Sequence, residues 1–241
     1  VTGGSLGGDG RAVRGRETRL SREFIIDTAI ELIDKAGVAR LTMRRLGTAC
    51  GVEAMALYRY VSGRDDVLSG VVDRIVDRLY EENLAQRHSQ DSWQDYLIRL
   101  AHGTRRIALN HPELFPLIAT RPPEAPWIRP PLRSLRWLES FLDTLIGHGF
   151  SDSGAAAAYR AYTTFLLGDL LLEIAGKGIE LGADELHAAD LPEELDLADY
   201  PNLQRLQPKL TVDTAAQEFE ESLENLLDRI ELLGPRQRRH R

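Results

Sequence analysis

One cysteine, Cys50, is present in 241 residues, so no intrachain disulfide can brace the fold and stability has to come from packing. A lone thiol suits a reducing cytoplasm, which is the expected location. Beside the turn glycine Gly51, it reads as a small packed residue rather than a redox sensor. No apolar run approaches the ~20 residues of a membrane-spanning helix, and no charged-then-apolar signal segment opens the sequence. Catalytic signatures are missing as well. There is no GxSxG, no HExxH, no P-loop, no GxGxxG after a strand and no paired-cysteine metal spacing. His102 and His111 lie nine residues apart, which does not put them on one helical face, and His102 reads as a polar pocket or surface residue rather than a metal ligand. Neither a metal nor a cofactor is expected.

What is present is ordinary in amount and uneven in placement. The chain is 43% hydrophobic and 28% charged, which is enough apolar material for a sizeable core. The net charge of −7 conceals a division along the sequence. Residues 1–60 hold ten Arg and Lys against seven Asp and Glu, whereas residues 61–235 hold sixteen against thirty. A basic tail, residues 236–241, adds four arginines. A slightly basic head on an acidic body suits a protein that meets phosphate with one end only.

That head contains the most informative stretch, LTMRRLGTACGVEAMALYRYVSGRDDVL, from Leu41 to Leu68. It reads as two short helices joined by a tight turn. Thr42 can cap the first, Met43 to Ala49; Gly51 turns the chain; Glu53 opens the second, expected over Ala54 to Tyr60. Leu46, Ala49, Val52, Leu57 and Val61 are the expected small core between them. The pattern is a helix-turn-helix, whose second helix fits a DNA major groove. Arg44, Arg45, Arg59 and Arg64 surround it with Tyr58 and Tyr60 interleaved, groups that neutralise or donate to phosphate. Before it, Ser21 to Ala36 forms a scaffold helix with Phe24, Ile25, Thr28, Ala29, Leu32 and Ile33 at helical spacing, closed by Gly37 as a left-handed cap.

The ordered set Ala36-Gly37, Leu41-Thr42, Gly51-Val52, Leu57-Tyr58-Arg59-Tyr60-Val61, Arg64 and Leu68 resembles the N-terminal domain of the TetR family of transcriptional regulators. The segments NHPELFPLIATRPP and YPNLQRL…EFEESLENLLDRIELL more loosely resemble a tetracycline-repressor-like C-terminal effector domain. The resemblance implies that Thr42, Tyr58, Tyr60 and Arg64 hold phosphates. Ala54, Met55 and Ala56 stand where that family commonly places polar readers, so base recognition would rest on thymine methyls, with Arg44 as the hydrogen-bonding reader. It implies no enzyme but a homodimer on a near-palindromic, double-stranded DNA operator, released when an effector enters the body. Repression is the more frequent mode in that family. The competing class is a helical enzyme that processes or binds a small molecule without a transcriptional role. A purely structural helical adaptor would leave the basic reader unexplained.

The expected architecture is all-α, a three-helix helix-turn-helix domain at residues 20–68 followed by a helical effector-binding and dimerisation domain at residues 69–235. Residues 1–19 are a Gly- and Arg-rich arm, read either as a solvated tail or as a strand of arginines (Arg11, Arg14, Arg16) following the DNA. A linking helix runs from Asp65 towards Ala85, and the body opens near Ser92-Trp93. It continues through a helix closed by His111-Pro112, a short helix at Glu113 to Ala119, the proline-rich RPPEAPWIRPP and helices at residues 132–147 and Asp152 to Ala175. An acidic loop with a short helix is expected over Gly176 to Asn202. The final helix, Thr214 to Leu233, carries Phe219, Leu223, Leu226, Ile230 and Leu233 as a seam for a second copy. Trp93, Leu97, Leu100, Phe115, Trp137, Leu138, Tyr159, Tyr162 and Phe165, with His102 and Thr163 as polar groups, are the expected walls for a mainly apolar effector.

Overall fold

The computed structural model describes residues 20–86, 88, 90–120, 134–177, 197 and 199–234. Among them there is no strand, and the all-α expectation holds. The arm, the proline-rich segment, most of the acidic stretch and the basic tail lie outside the described residues. No described helix is long and apolar enough to cross a membrane.

Helix α1 (Arg22–Ala36) begins where Ser21 Oγ accepts from the Phe24 amide at 3.1 Å, which satisfies one of the otherwise orphaned first-turn donors. It ends at Gly37, whose φ of 80° and ψ of 158° differ from the left-handed cap expected. That extended positive-φ conformation, open essentially to glycine alone, sends the chain into a short 3-10 turn, Val38–Arg40. In α2 (Met43–Ala49) the Thr42 hydroxyl accepts from the Arg45 amide at 3.2 Å. Gly51 then turns the chain at φ 72° into α3. This helix spans only Ala54–Leu57, three residues shorter than expected, because the Tyr60 and Val61 amides both fold back on the Leu57 carbonyl and end it in a turn. Ala49 is exposed rather than core. The close approach between α2 and α3 is made instead by buried Gly47, where a Cβ would lie 2.9 Å from the Val52 carbonyl oxygen and 3.0 Å from the Ala54 nitrogen.

Helix α4 (Arg64–Ala85) is shared between two cores. Its first half contributes Val67, Leu68, Val71 and Ile75 to a head core with Ile25, Ile26, Ile33, Leu46, Leu57 and Val61. Its second half contributes Leu79 to a body core built from α5 (Trp93–Asn110), α7 (Leu135–Gly147), α8 (Asp152–Gly176) and α10 (Ala215–Glu231). Between α5 and α7 stands α6 (Phe115–Thr120), packed on α8. Ion pairs fix α1 to α4 on the solvent side: Arg22 reaches Asp66 at 2.6 Å, and Asp27 holds both Arg74 at 3.1 Å and Arg78 at 2.6 Å.

Two features of the C-terminal half depart from the sequence reading. Helix α9 (Pro201–Leu210) follows the acidic stretch, started by a proline at its first position, where the missing N–H costs nothing, and buries no residue. Most of the α10 stripe meets this chain's own helices, where a seam for a second copy was expected. Phe219, Leu223 and Ile230 are buried against α5 and α8, Leu226 packs half-buried beside them, and Leu233 lies past the helix end in a turn. A four-and-three stripe reports a helical neighbour but carries no information on which chain supplies it.

Gly47→Ala is expected to destabilise the head by about 1–3 kcal/mol, because the clash falls on backbone that cannot rotate away. Gly147→Ala, with nothing within 4 Å of its Cβ, is the matched control and should leave the melting temperature unchanged or raised. Thermal unfolding of both variants checks the contrast.

Candidate nucleic-acid interface and internal cavity

The α2–α3 face presents the expected reader set to solvent. Thr42, Arg44, Arg45 and Arg59 are exposed, as are Met55 at 76%, Tyr58 at 48% and Tyr60 at 40%. Ala54 and Ala56 are half-buried beside Met55. A large thioether left bare in the first turn of a four-residue helix gains nothing in the free protein and leaves an apolar contact surface open. Arg45 donates to the Arg40 carbonyl at 3.4 Å, which steadies its stem over the 3-10 turn.

Arg64 is placed differently from a simple phosphate ligand. Its Nε donates to the Leu41 carbonyl at 2.9 Å and its Nη2 to the Val38 carbonyl at 2.9 Å, so it ties the start of α4 to the loop before α2. A guanidinium has five donors, and those two bonds leave others for an anion. Arg22 was not singled out from sequence, yet it pins the turn between α3 and α4. It donates to the Tyr60 carbonyl at 3.1 Å and pairs with Asp66, which also accepts from the Ser62 amide at 2.7 Å. The Arg22 guanidinium and these hydrogen bonds hold the Asp66 carboxyl far below the usual carboxylate range. Nothing local marks the pair, whose members stand 44 positions apart. Burial pushes the Cys50 thiol up, which favours packing over thiolate chemistry at the turn.

Inside the body the expected effector walls divide into two groups. Leu100 and Trp137 line a cavity of about 10 Å³ together with Tyr80, Asn83, Leu84, Tyr96 and Ser140. Behind Trp137 lie Phe141, stacked at 5.4 Å, and Tyr159, edge-on at 6.4 Å. Tyr162 is fully buried and donates to the Leu97 carbonyl at 2.7 Å, while the Thr163 hydroxyl donates to the Tyr159 carbonyl at 2.7 Å. Burial pushes the Tyr159 phenol up to about 12, so it stays neutral. The second group stands away from the cavity. Trp93 packs edge-on against Phe150, Phe165 stacks on Phe219, and His102 is exposed with Glu220 at 3.6 Å. Leu138 is half-buried against the core, and Phe115 is fully buried.

Asn83 is the residue that sequence reasoning missed. Its side-chain nitrogen is buried on α4 and has no hydrogen-bond partner among the described residues. It faces both the small cavity and an adjoining cleft of about 120 Å³ lined by Leu79, Glu82, Gln86, Arg99, His102, Gly103 and Arg106. An amide continuing the apolar stripe of Val71, Ile75 and Leu79 at its last turn was the available signal.

Arg44→Ala is expected to lose about 1–3 kcal/mol of discrimination at one base pair per half-site, read by binding to single-base operator variants. Arg64→Ala should weaken all sequences alike, lower the salt slope by about one and also lower the melting temperature, since two carbonyl tethers go with it.

Two family models match this architecture. "Bacterial regulatory proteins, tetR family" covers residues 25–71, and "Tetracyclin repressor-like, C-terminal domain" covers residues 87–233. An HTH-type transcriptional regulator of Saccharopolyspora erythraea is 32% identical over 154 residues, 64% of this chain and 61% of the relative. The chain thus spans about three fifths of that relative's length. The HTH-type transcriptional repressor DrrR1 of Streptomyces coeruleorubidus is 25% identical over 238 residues, 95% of this chain and 83% of the repressor. The crystal structure of a possible TetR family transcriptional regulator from Streptomyces coelicolor A3(2) is 30% identical with a TM-score of 0.69, and the likeness covers 88% of this chain and 100% of that one. With matching models on head and body, and a solved relative aligned along its whole length, the chain belongs to the TetR family of bacterial regulatory proteins.

Proposed function

We propose that this protein is a homodimeric transcriptional repressor of the cytoplasm, released from a near-palindromic operator by a small, mainly apolar effector. The observation that carries the reading is Asn83. Its unpartnered amide lies on the wall of the cavity, on the same helix whose other half is bolted to the DNA-reading head. The cavity of about 10 Å³ and the adjoining cleft of about 120 Å³ are both smaller than ligand sites, which run to about 300–1,000 Å³. An effector therefore enters only by displacing a wall, and α4 is one of the walls. Such a ligand binds the displaced state better than the resting one, which is the condition for shifting the equilibrium. Neutral phenols and indoles around the site favour an uncharged or aromatic molecule anchored by one or two hydrogen bonds, with the Asn83 amide as donor.

Asn83→Leu removes the donor and its desolvation cost together. The variant should fold at least as stably as the parent, bind operator unchanged and require roughly tenfold or more effector for release, one lost hydrogen bond to a buried amide. A thermal-shift screen with matched neutral and anionic compounds, followed by operator release, supplies the effector for that comparison. Release by polyanions alone would overturn this account of the cavity.

The dimer rests on α8, whose apolar and small residues extend beyond the side that the chain's own core covers. On the uncovered side Ala157, Ala161, Thr164, Gly168 and Leu172 recur at steps of three and four, Leu172 being 73% exposed. Small residues in that row allow close approach of a second α8, with Leu226 and Leu233 of α10 at its margin. The two readers would then sit in successive major grooves, about 34–36 Å apart. Thr164→Glu with Leu172→Glu should yield folded monomers, since burying unpaired charges costs several kcal/mol. Sedimentation showing an intact dimer would remove this face. Leu223→Glu would instead disrupt the body itself, because Leu223 is 3% exposed within one chain.

A further inference from the structure

We propose that the cleft between α4 and α5, on the far side of Asn83 from the cavity, is a separate site for a small monocarboxylate held by Arg99 and Asn83. The two spaces are divided by the helices themselves. Tyr80 and Leu84 of α4, with Tyr96 and Leu100 of α5, face the cavity. Leu79 and Glu82 of α4, with Arg99, Gly103 and Arg106 of α5, face the cleft. Among the described residues, Asn83 alone lines both. The cavity is closed by Trp137 of α7, whereas the cleft opens beside His102, whose ring lies 6.1 Å from that of Phe219 on α10.

What the cleft lacks is hydrogen-bond acceptors. The Arg99 side chain is 19% exposed, and neither its Nε nor its Nη2 makes a hydrogen bond among the described residues. Asp91 Oδ2 stands 2.7 Å from Nη2, close enough for an ion pair but out of line with its N–H groups. That carboxylate is oriented by its own loop instead, where it accepts from the His88 amide at 2.7 Å. Nε and Nη2 share one edge of the guanidinium, the edge that takes both oxygens of a carboxylate side by side. Asn83 Nδ2 is a third donor without a partner, in a residue only 8% exposed. An amide nitrogen carries two N–H groups, so donating into the cleft leaves one for the cavity. Buried donors left unpaired are costly, and a molecule that brings two adjacent acceptors relieves that cost.

Charge narrows the class of molecule. Glu82 pairs with Arg106, Asp91 offsets Arg99, and His102 faces Glu220 at 3.6 Å. The cleft therefore offers directed donors with little net positive charge, which suits a single negative charge and opposes a phosphate dianion. Volume narrows it further. A space of about 120 Å³ over Leu79 and Gly103 admits acetate or a carboxylate of a few carbons, and is too small for the effector proposed above. Bound there, the carboxylate joins Asn83 of α4 to Arg99 of α5.

The test is calorimetric titration and thermal unfolding of the full-length protein, free of DNA and effector, at constant ionic strength. The probes are sodium acetate, sodium propionate, acetamide and sodium phosphate. Acetate and propionate should bind once per protomer and raise the melting temperature to a plateau-free, concentration-dependent extent, as a ligand of the folded state does. Acetamide, the neutral isostere, and phosphate should bind roughly tenfold or more weakly than acetate. Arg99→Lys keeps a charge beside Asp91 but loses the paired donors, and should weaken acetate by roughly tenfold or more. Asn83→Leu removes the third donor and should weaken acetate as well, which decides the matter if Arg99→Lys does not fold. Three results would each overturn the proposal: no saturable binding of either carboxylate, acetamide or phosphate binding as tightly as acetate, or parental acetate affinity in the variants. Because neither DNA nor effector is present, those results would leave the repressor reading standing.

Discussion

A helix cannot tilt without carrying what is packed along it, and α4 is packed into the head over Val67 to Ile75 and into the body at Leu79. Most of the molecule follows from that constraint. The α1–α4 ion pairs and the close seat of Ile26 on Gly70, where a Cβ would meet it at 2.6 Å, make the head and the lower half of α4 one solid piece. The upper half sits on α5 just as closely, with Leu79 over Gly103 and Glu82 paired with Arg106. A ligand that opens the space beside Asn83 has no soft segment of α4 to spend its displacement on. Under the proposed function, the reader would move with it.

The charge division serves the same arrangement. Basic groups are gathered at the α2–α3 face and the body is acidic, a division that under the proposed function would let the protein approach DNA in one orientation. Under the proposed function, the apolar tip formed by Ala54, Met55 and Ala56 would discriminate by contact, with Arg44 as the hydrogen-bonding reader. Exposed surface ion pairs such as Lys35–Glu31 contribute little to stability. Stability rests on the two cores, and the ion pairs between α1 and α4 fix geometry.

How much of this was legible in the sequence depends on the range of the interaction. Caps and turns are local, and Ser21, Thr42, Gly51 and the start of α8 at Asp152 could be read from a few neighbouring residues. The helix-turn-helix was legible for the same reason. Contacts between distant residues were not. Gly47 looked like an ordinary helical residue until Val52 and Ala54 were brought against it. The pairing of Arg22 with Asp66 leaves no trace in spacing. The α10 stripe was read as a seam for a second copy, and Phe219, Leu223 and Ile230 of it are buried within the chain itself, because periodicity identifies a buried face but not what buries it. In the same way, large aromatic residues marked the core without marking the cavity. Trp137 and Leu100 line it while Trp93 and Phe165 do not, and the difference is set by which helix each meets. Asn83 was legible in principle, as a polar residue in an apolar stripe.

The central claim is that effector and operator bias one shared coordinate, the distance between the two readers. It is measured most directly by pulsed electron spin resonance on the dimer, with one label per protomer at Glu31→Cys on the outer face of α1 in a Cys50→Ala background. The account predicts a narrow distance distribution on the selected operator. It also predicts a distribution displaced from that one when a releasing effector is bound, with the free protein populating both. An effector that releases DNA while leaving the distance between the labels at its operator-bound value would contradict it.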